Sequence, residues 1–174
     1  MQFGTGMIEI RRATPEDVPD IARVHVKADW ETYAPLFGAR AYALDVAECE
    51  QRWQQALRDG GALLVATDGC VIVGLGHVVE DRIRALYLLA AYRRRGIGKA
   101  MLARLLQVLQ QRGIAEARLD VVAVNADAIA FYEAQGARAV GRCTNRDPRG
   151  DTEDLIFAIP AAQVGRGRSR SSTG

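Results

Sequence analysis

The sequence predicts a mixed α/β domain, and three observations carry that expectation. Two β-rich runs, Ala62 to Thr67 and Cys70 to Glu80, flank Asp68-Gly69, a dipeptide that favours a tight hairpin turn. An apolar run from Ile83 to Leu89 leads through Arg93-Arg94-Arg95-Gly96-Ile97-Gly98 into a helix carrying Met101, Leu102, Leu105 and Leu109 as far as Gly113. Earlier and later stretches repeat apolar residues at helical intervals, so hairpins come first and crossovers follow.

In chain order, Met7 to Arg11 alternates as a short strand. Thr14 then caps a helix with Pro15 in its first turn and Asp17 at the third position, and Val18, Ile21, Ala22 and His25 form its apolar face. Asp45, with Glu48 three residues on, starts a second helix whose Val46, Cys49, Trp53 and Leu57 share one side, and Gly60-Gly61 ends it. Ala117 to Val124 reads as a strand and Asn125 to Gln135 as a helix closed by Gly136. Ala137 to Cys143 and Leu155 to Ile159 read as a last strand pair. No repeat or internal linker breaks the chain between Ile8 and Pro160. The expectation is one domain over residues 7–160, a flexible lead-in at 1–6 and a disordered Gly/Ser/Arg-rich tail at 161–174.

Composition excludes several classes. Hydrophobic residues at 49% and charged residues at 25% argue against wholesale disorder and fibrous chains. The longest apolar stretch, Leu86 to Tyr92, is far short of the roughly 20 residues of a membrane span. The opening residues also lack a secretory pattern, so a cytoplasmic protein is expected. The net charge of +2 owes much to Arg166, Arg168 and Arg170 of the tail; without them 20 basic side chains face 21 acidic ones. Nucleic-acid binding by the domain is therefore not expected, although Arg93 to Arg95 with the tail define it as a third-ranked class. Cys49, Cys70 and Cys143 show no C-x-x-C spacing, predict neither disulfide nor zinc site, and read as buried small apolar side chains.

The glycine segment carries the chemistry. Backbone N–H groups at a helix start have no partner inside the helix, and their dipoles favour an anion. Gly96 and Gly98 clear space for a phosphate, and Arg93, Arg94, Arg95 and Lys99 surround it with positive charge. An ordinary tight turn with solvated arginines is the bland reading, and four cations around two glycines tilt the balance towards a phosphorylated ligand. A dinucleotide fingerprint fails because Met101 stands where its third glycine belongs, although Asp120 lies at about the right distance to mimic the ribose-binding acid. No G-x-x-x-x-G-K-[ST] is present, which excludes a standard P-loop.

Leu86-Tyr87-Leu88-Leu89, Tyr92 and the R-x-x-G-x-G of Arg93 to Gly98, followed by an apolar helix, resemble the acetyl-CoA signature of the GNAT superfamily of N-acyltransferases. Asn125, Ala128, Phe131, Tyr132 and Gly136 resemble its second signature, and the likeness runs from about Ile8 to Pro160, including His25, Trp30, Tyr33 and Trp53. The resemblance implies a GNAT fold, a mixed sheet of about six to seven strands with about four helices. It implies that acetyl-CoA is the acyl donor, with no metal, and that a primary amine of a small molecule or peptide attacks it directly. The amides of Arg94 to Gly98, including that of Ile97, would hold the pyrophosphate, assisted by the arginines and Lys99. A bulge near Leu88 and Leu89 would splay the strand for pantetheine, and the amide of Leu88 or Leu89 would stabilise the oxyanion. Tyr132 would protonate the departing thiolate, while Phe131 and, secondarily, Asn125 border the cofactor.

The acceptor side is less patterned. Many relatives use a glutamate on the strand before the glycine loop, yet Arg82 to Leu89 contains no acid; Glu80 and Asp81 lie just upstream and could work through water. His25 reads as a hydrogen-bonded core histidine or a wall of the acceptor cleft. Trp30, Tyr33 and Tyr42 are candidates for an aromatic wall, and the loop from Asn145 to Asp154 has an acidic excess suited to an amine. Glu153-Asp154 before the final strand partly resembles ribosomal-protein N-terminal acetyltransferases, without the paired tyrosines expected before it. The missing strand acid keeps a non-catalytic acyl-CoA sensor as the alternative, and whether the chain forms a homodimer stays open.

Overall fold

The computed structural model describes residues 7–40, 43–146 and 150–163. Seven strands, β1 (Ile8–Arg12), β2 (Ala62–Asp68), β3 (Val71–Val79), β4 (Arg82–Leu88), β5 (Glu116–Val122), β6 (Arg138–Asn145) and β7 (Thr152–Pro160), form one sheet in the order β1-β2-β3-β4-β5-β7-β6. All neighbours run antiparallel except β4 and β5. Four helices cover it: α1 (Val18–Phe37), α2 (Val46–Arg58), α3 (Ile97–Gln111) and α4 (Ala126–Ala134).

The sheet separates two cores. On one face Met101, Leu102, Leu105 and Leu109 of α3 pack with Leu119, Phe157 and Ile159. On the other, Ile21 and Ala22 of α1 and Cys49 and Trp53 of α2 pack on Leu63, Val65 and Leu75. Alternation along β4 splits its side chains, Leu86 and Leu88 joining the first core and Ala85, Tyr87 and Leu89 the second.

Several boundaries move. The hairpin turn consists of Gly69 and Cys70, with Asp68 still paired to Val71, and Gly69 takes the left-handed φ of +60° that its first turn position requires. Cys70 is consequently exposed and Cys143 half-buried; only Cys49 meets the expectation of a buried apolar thiol. The charge-rich stretch expected as a loop is strand at both ends: Asn145 closes β6 and Thr152 opens β7, Thr152 and Asp154 are buried, Asp154 accepts from Thr152 Oγ1 at 3.0 Å, and Arg142 pairs with Glu153. Charged side chains hid those strand ends by breaking the apolar alternation. The domain also runs past residue 160, because Ala161 is buried and its amide donates to Ala115 O at 2.9 Å. Residues 1–6 and the tail from 164 onward lie outside the described residues.

Candidate active site

β4 meets β5 at a single ladder position, Arg82 with Arg118, and the parallel strands part beyond it. The Arg82 guanidinium reaches both carboxylate oxygens of Asp120, at 2.8 and 2.7 Å, bridging the closed end of the gap. On its other edge β4 remains bonded to β3. The Leu89 amide donates to Val73 O at 3.0 Å, so by antiparallel alternation the pairs Gly74–Leu88 and Gly76–Leu86 turn their β4 amides outward, into the gap. This removes Leu89 as an oxyanion donor and leaves Leu88. It adds the Leu86 amide, which sequence reasoning missed although a two-residue spacing from Leu88 signals it. Gly74 permits this register, since a Cβ there would lie 2.8 Å from both Tyr87 O and Leu88 Cδ1. The bulge sits at Arg84, between the pairs His77–Ala85 and Val78–Ile83, and not at Leu88 and Leu89 as expected.

After β4 a short 3-10 turn, Ala90–Tyr92, precedes the glycine segment. Arg94 and Gly96 both take left-handed backbone, with φ of 62° and 80°, curling the chain so that successive amides face one concavity. Gly96 is the N-cap of α3 and offers no side-chain acceptor, and the first bond back into the helix is Ala100 N to Gly96 O at 3.0 Å. The first-turn amides of Ile97, Gly98 and Lys99 thus lack helical partners. Ile97 buries its side chain and contributes only its amide. Gly98 opens towards Phe131, whose ring would lie 3.7 Å from an added Cβ. Arg94 is exposed and 3.9 Å from Asp127, Arg95 lies over the Tyr92 ring at 5.3 Å, and Lys99 is exposed on the first turn.

Arg93 departs from its expected role. Its Nε donates to Leu88 O at 3.0 Å, and its Nη2 donates to Thr32 Oγ1 at 2.9 Å. Glu31 accepts from the Ala90 amide at 2.7 Å. These contacts tie the end of β4 to α1, so the Arg93 guanidinium is engaged within the protein and does not stand free for phosphate.

Asn125 is buried and its Oδ1 accepts from Ala128 N at 3.1 Å, which makes it the N-cap of α4 and spends the oxygen there. Two helical turns on, Tyr132 is buried with Phe131 edge-on at 5.0 Å. Burial, reinforced by the nearby Tyr33 phenol, pushes the Tyr132 phenol well above its usual value, so it stays protonated throughout the neutral range.

On the α1/α2 face, His25 is 2% exposed and accepts the Trp53 indole N–H at Nδ1, at 3.2 Å. Its ring lies 4.5 Å from that of Tyr87. Trp30 is 46% exposed and belongs to neither core, whereas Tyr33 stacks near Phe37 at 5.9 Å and also reaches the surroundings of Tyr132. Tyr42, Asp147 and Arg149 fall outside the described residues. Glu80 is in the far turn of the β3–β4 hairpin, with φ of 51°, about 20 Å along the strand from Leu88, and is set aside as an acceptor-site residue. Asp120 shares a face of β5 with Arg118 and lies where the gap begins. Its outward alternation on β5 was the available signal. Among the described residues no three His, Cys, Asp or Glu cluster as metal ligands, and no helix is long and apolar enough to cross a membrane.

A sheet parted at β4 and β5 beside an unfilled helix start is the architecture of an acyltransferase class. The acetyltransferase (GNAT) family profile matches residues 7–137, more than half of the chain, and the chain belongs to that family of N-acetyltransferases. It is 29% identical over 143 residues to the uncharacterized N-acetyltransferase YuaI of Bacillus subtilis, covering 77% of this chain and 82% of that one. It is 32% identical over 126 residues to the ribosomal protein bS18-alanine N-acetyltransferase of Salmonella typhimurium, covering 70% and 84%. The PaiA N-acetyltransferase of Thermoplasma acidophilum, solved in complex with coenzyme A, superposes with a TM-score of 0.69 at 20% identity, covering 88% of this chain and 99% of that one, a likeness of fold.

Proposed function

We propose that the protein transfers the acetyl group of acetyl-CoA to a primary amine by direct attack. The observation that carries this reading is the start of α3, where a glycine cap leaves first-turn amides unfilled beside the parted strands. The diphosphate of the donor lies on the amides from Arg94 to Gly98, with Arg94, Arg95 and Lys99 adding charge around it. Pantetheine follows the outward amides of Leu86 and Leu88 and completes the edge of β4. The Leu88 N–H then meets the thioester oxygen as negative charge grows on it, a contribution of about 10²-fold to 10³-fold in turnover.

An alkyl ammonium with a pKa of about 10.4 must lose a proton before it attacks. Asp120, beside the closed end of the gap with Arg82 on both its oxygens, receives that proton through water. As the C–S bond breaks, the electron pair leaves on sulfur and the Tyr132 O–H donates to it. Because burial makes this phenol a weak acid, its first contribution is a hydrogen bond to the sulfur; the proton it passes to the thiolate is replaced by the one the nitrogen gives up as it becomes an amide. The alanine amino terminus in the name of the Salmonella relative supports a peptide amine among the acceptors. Calorimetric titration with coenzyme A, followed by thiol release from acetyl-CoA across a panel of primary amines, tests the reading. Binding with amine-dependent release is expected. Binding without release from any amine would return the sensor reading, and absence of binding would end both.

A further inference from the structure

Beneath α2, on the face of the sheet that carries Tyr87, lies a cavity of about 510 Å³. Its walls are not part of the donor site. Trp53, Tyr87 and His25 supply an aromatic lining; Arg52 from α2 and Arg84 from β4 stand at its margin, both exposed. No ion pair or hydrogen bond engages either guanidinium among the described residues. Asp59, the one carboxylate in the lining, already accepts from Gln55 Nε2 at 2.6 Å.

His77 lines the same cavity, is 7% exposed, and its Nε2 has no hydrogen-bond partner among the described residues. Trp53 meets the His77 ring edge-on at 5.6 Å, and burial, assisted by Arg84, disfavours the charged imidazole. The Nε2 side of that ring is packed against Gly61, so His77 serves the cavity as a neutral wall. The Arg84 bulge has a use here. It inserts one residue into β4 between Ile83 and Ala85, and both Arg84 and Ala85 line the cavity.

We infer that this cavity receives the body of the acceptor and selects acceptors that carry a carboxylate at a distance from the reacting amine. The inference rests on the proposed acetyl transfer and names its substrate class. Tyr87 connects the two regions, because it lines the cavity and immediately precedes Leu88, whose amide faces the gap. An acceptor with a flat apolar middle lies against Trp53 and Tyr87, its carboxylate meeting Arg84 and Arg52 beside the His77 ring, its amine directed at the gap. The carboxylate belongs either to a small amino acid-like molecule or to an acidic side chain near a peptide amino terminus.

The test uses two matched pairs of acceptors with the full chain and acetyl-CoA: 4-(aminomethyl)benzoate against 4-(aminomethyl)benzamide, and a C-terminally amidated Ala-Glu peptide against its amidated Ala-Gln counterpart. In at least one pair the carboxylate member is expected to show kcat/KM at least tenfold higher, and the pair that responds identifies the source. Arg84→Gln should bring that ratio close to one while turnover of the neutral member and the KM for acetyl-CoA stay put. A ratio near one in both pairs, or a ratio that survives Arg84→Gln and Arg52→Gln, overturns the inference while leaving amine acetylation intact. NMR supplies a readout independent of turnover. The His77 imidazole signals should shift on titration with 4-(aminomethyl)benzoate or with the Ala-Glu peptide in the absence of acetyl-CoA, and signals unmoved by both overturn the inference even if no amine is acetylated.

Discussion

Helices α3 and α4 begin on opposite terms. At the start of α4 the Asn125 side chain accepts from the Ala128 amide, and at the start of α2 Asp45 Oδ1 accepts from Glu48 N at 2.9 Å. Before α1, Asp17 accepts the Thr14 amide at 2.8 Å and is held by Arg11 at 2.6 and 2.8 Å. α3 has only Gly96, which offers no side-chain oxygen. The chain caps α2 and α4 with its own side chains and spends Asp17 on the 3-10 turn ahead of α1, and in the proposed function the start of α3 is left to a ligand. In the proposed acetyl transfer the two helices beside the gap therefore contribute differently, α3 through its backbone and α4 through the side chain of Tyr132.

The largest expected effect is on α4's side of this contrast. Tyr132→Phe removes the O–H and keeps the ring, so turnover should fall by about 10²-fold to 10⁴-fold while affinity for coenzyme A holds. Unchanged turnover in a thiol-release assay would show that another donor serves the sulfur. On α3's side, Gly98→Trp places a ring against Phe131 and over the first-turn amides. Affinity for coenzyme A should weaken by about 10²-fold, close to 3 kcal/mol, read by calorimetry. Undiminished affinity would move the diphosphate elsewhere.

The Asp17 site calibrates what a carboxylate locked into the 3-10 turn ahead of α1 is worth. The Arg11 guanidinium, with the Thr14 amide, holds the Asp17 carboxyl down to about 2, against an ordinary value of 3.8. A depressed carboxyl stabilises the fold above its ordinary value and loses that contribution as pH falls through 3.8 towards 2. Asp17→Asn should therefore cost about 2 kcal/mol at pH 7 by urea unfolding, with the difference from the parent vanishing near pH 2. A smaller effect, about tenfold in turnover, is expected from Arg93→Gln, which releases Leu88 O from α1. If Arg93 instead grips phosphate, coenzyme A affinity would fall and turnover at saturation would not.

The same contrast explains what was legible in the sequence. An anion site at a helix start is local chemistry: a strand, three arginines, two glycines and an apolar helix are contiguous, and residues 86–105 display them in a row. The fold class was equally readable, because hairpin turns and helix caps are short-range signals. The acceptor side is assembled from distant pieces. His25 meets Trp53 across 28 residues, Arg82 meets Asp120 across 38, and Arg93 meets Thr32 across 61. No residue type marks the Arg84 bulge, since a register shift depends on the partner strand and leaves no Gly or Pro behind. Arg93 is hard to read for a related reason: its charge is visible in the sequence, but its direction is set by where α1 packs.

The smallest effect tests the comparison most directly. Asn125→Ala deletes the cap of α4 and should cost about 1 kcal/mol, lowering Tm by about 2–4 °C. Capping is a local debt of the helix and involves no ligand, so affinity for coenzyme A and KM for acetyl-CoA should match the parent's. Asn125→Asp or Asn125→Ser, which retain an oxygen acceptor, should restore most of the lost stability. If Asn125→Ala instead weakens coenzyme A binding tenfold at unchanged Tm, the Asn125 amide serves the ligand and the Ala128 bond is incidental. α4 would then open onto the donor as α3 does, and the division between a helix that binds by backbone and one that acts by side chain would fail.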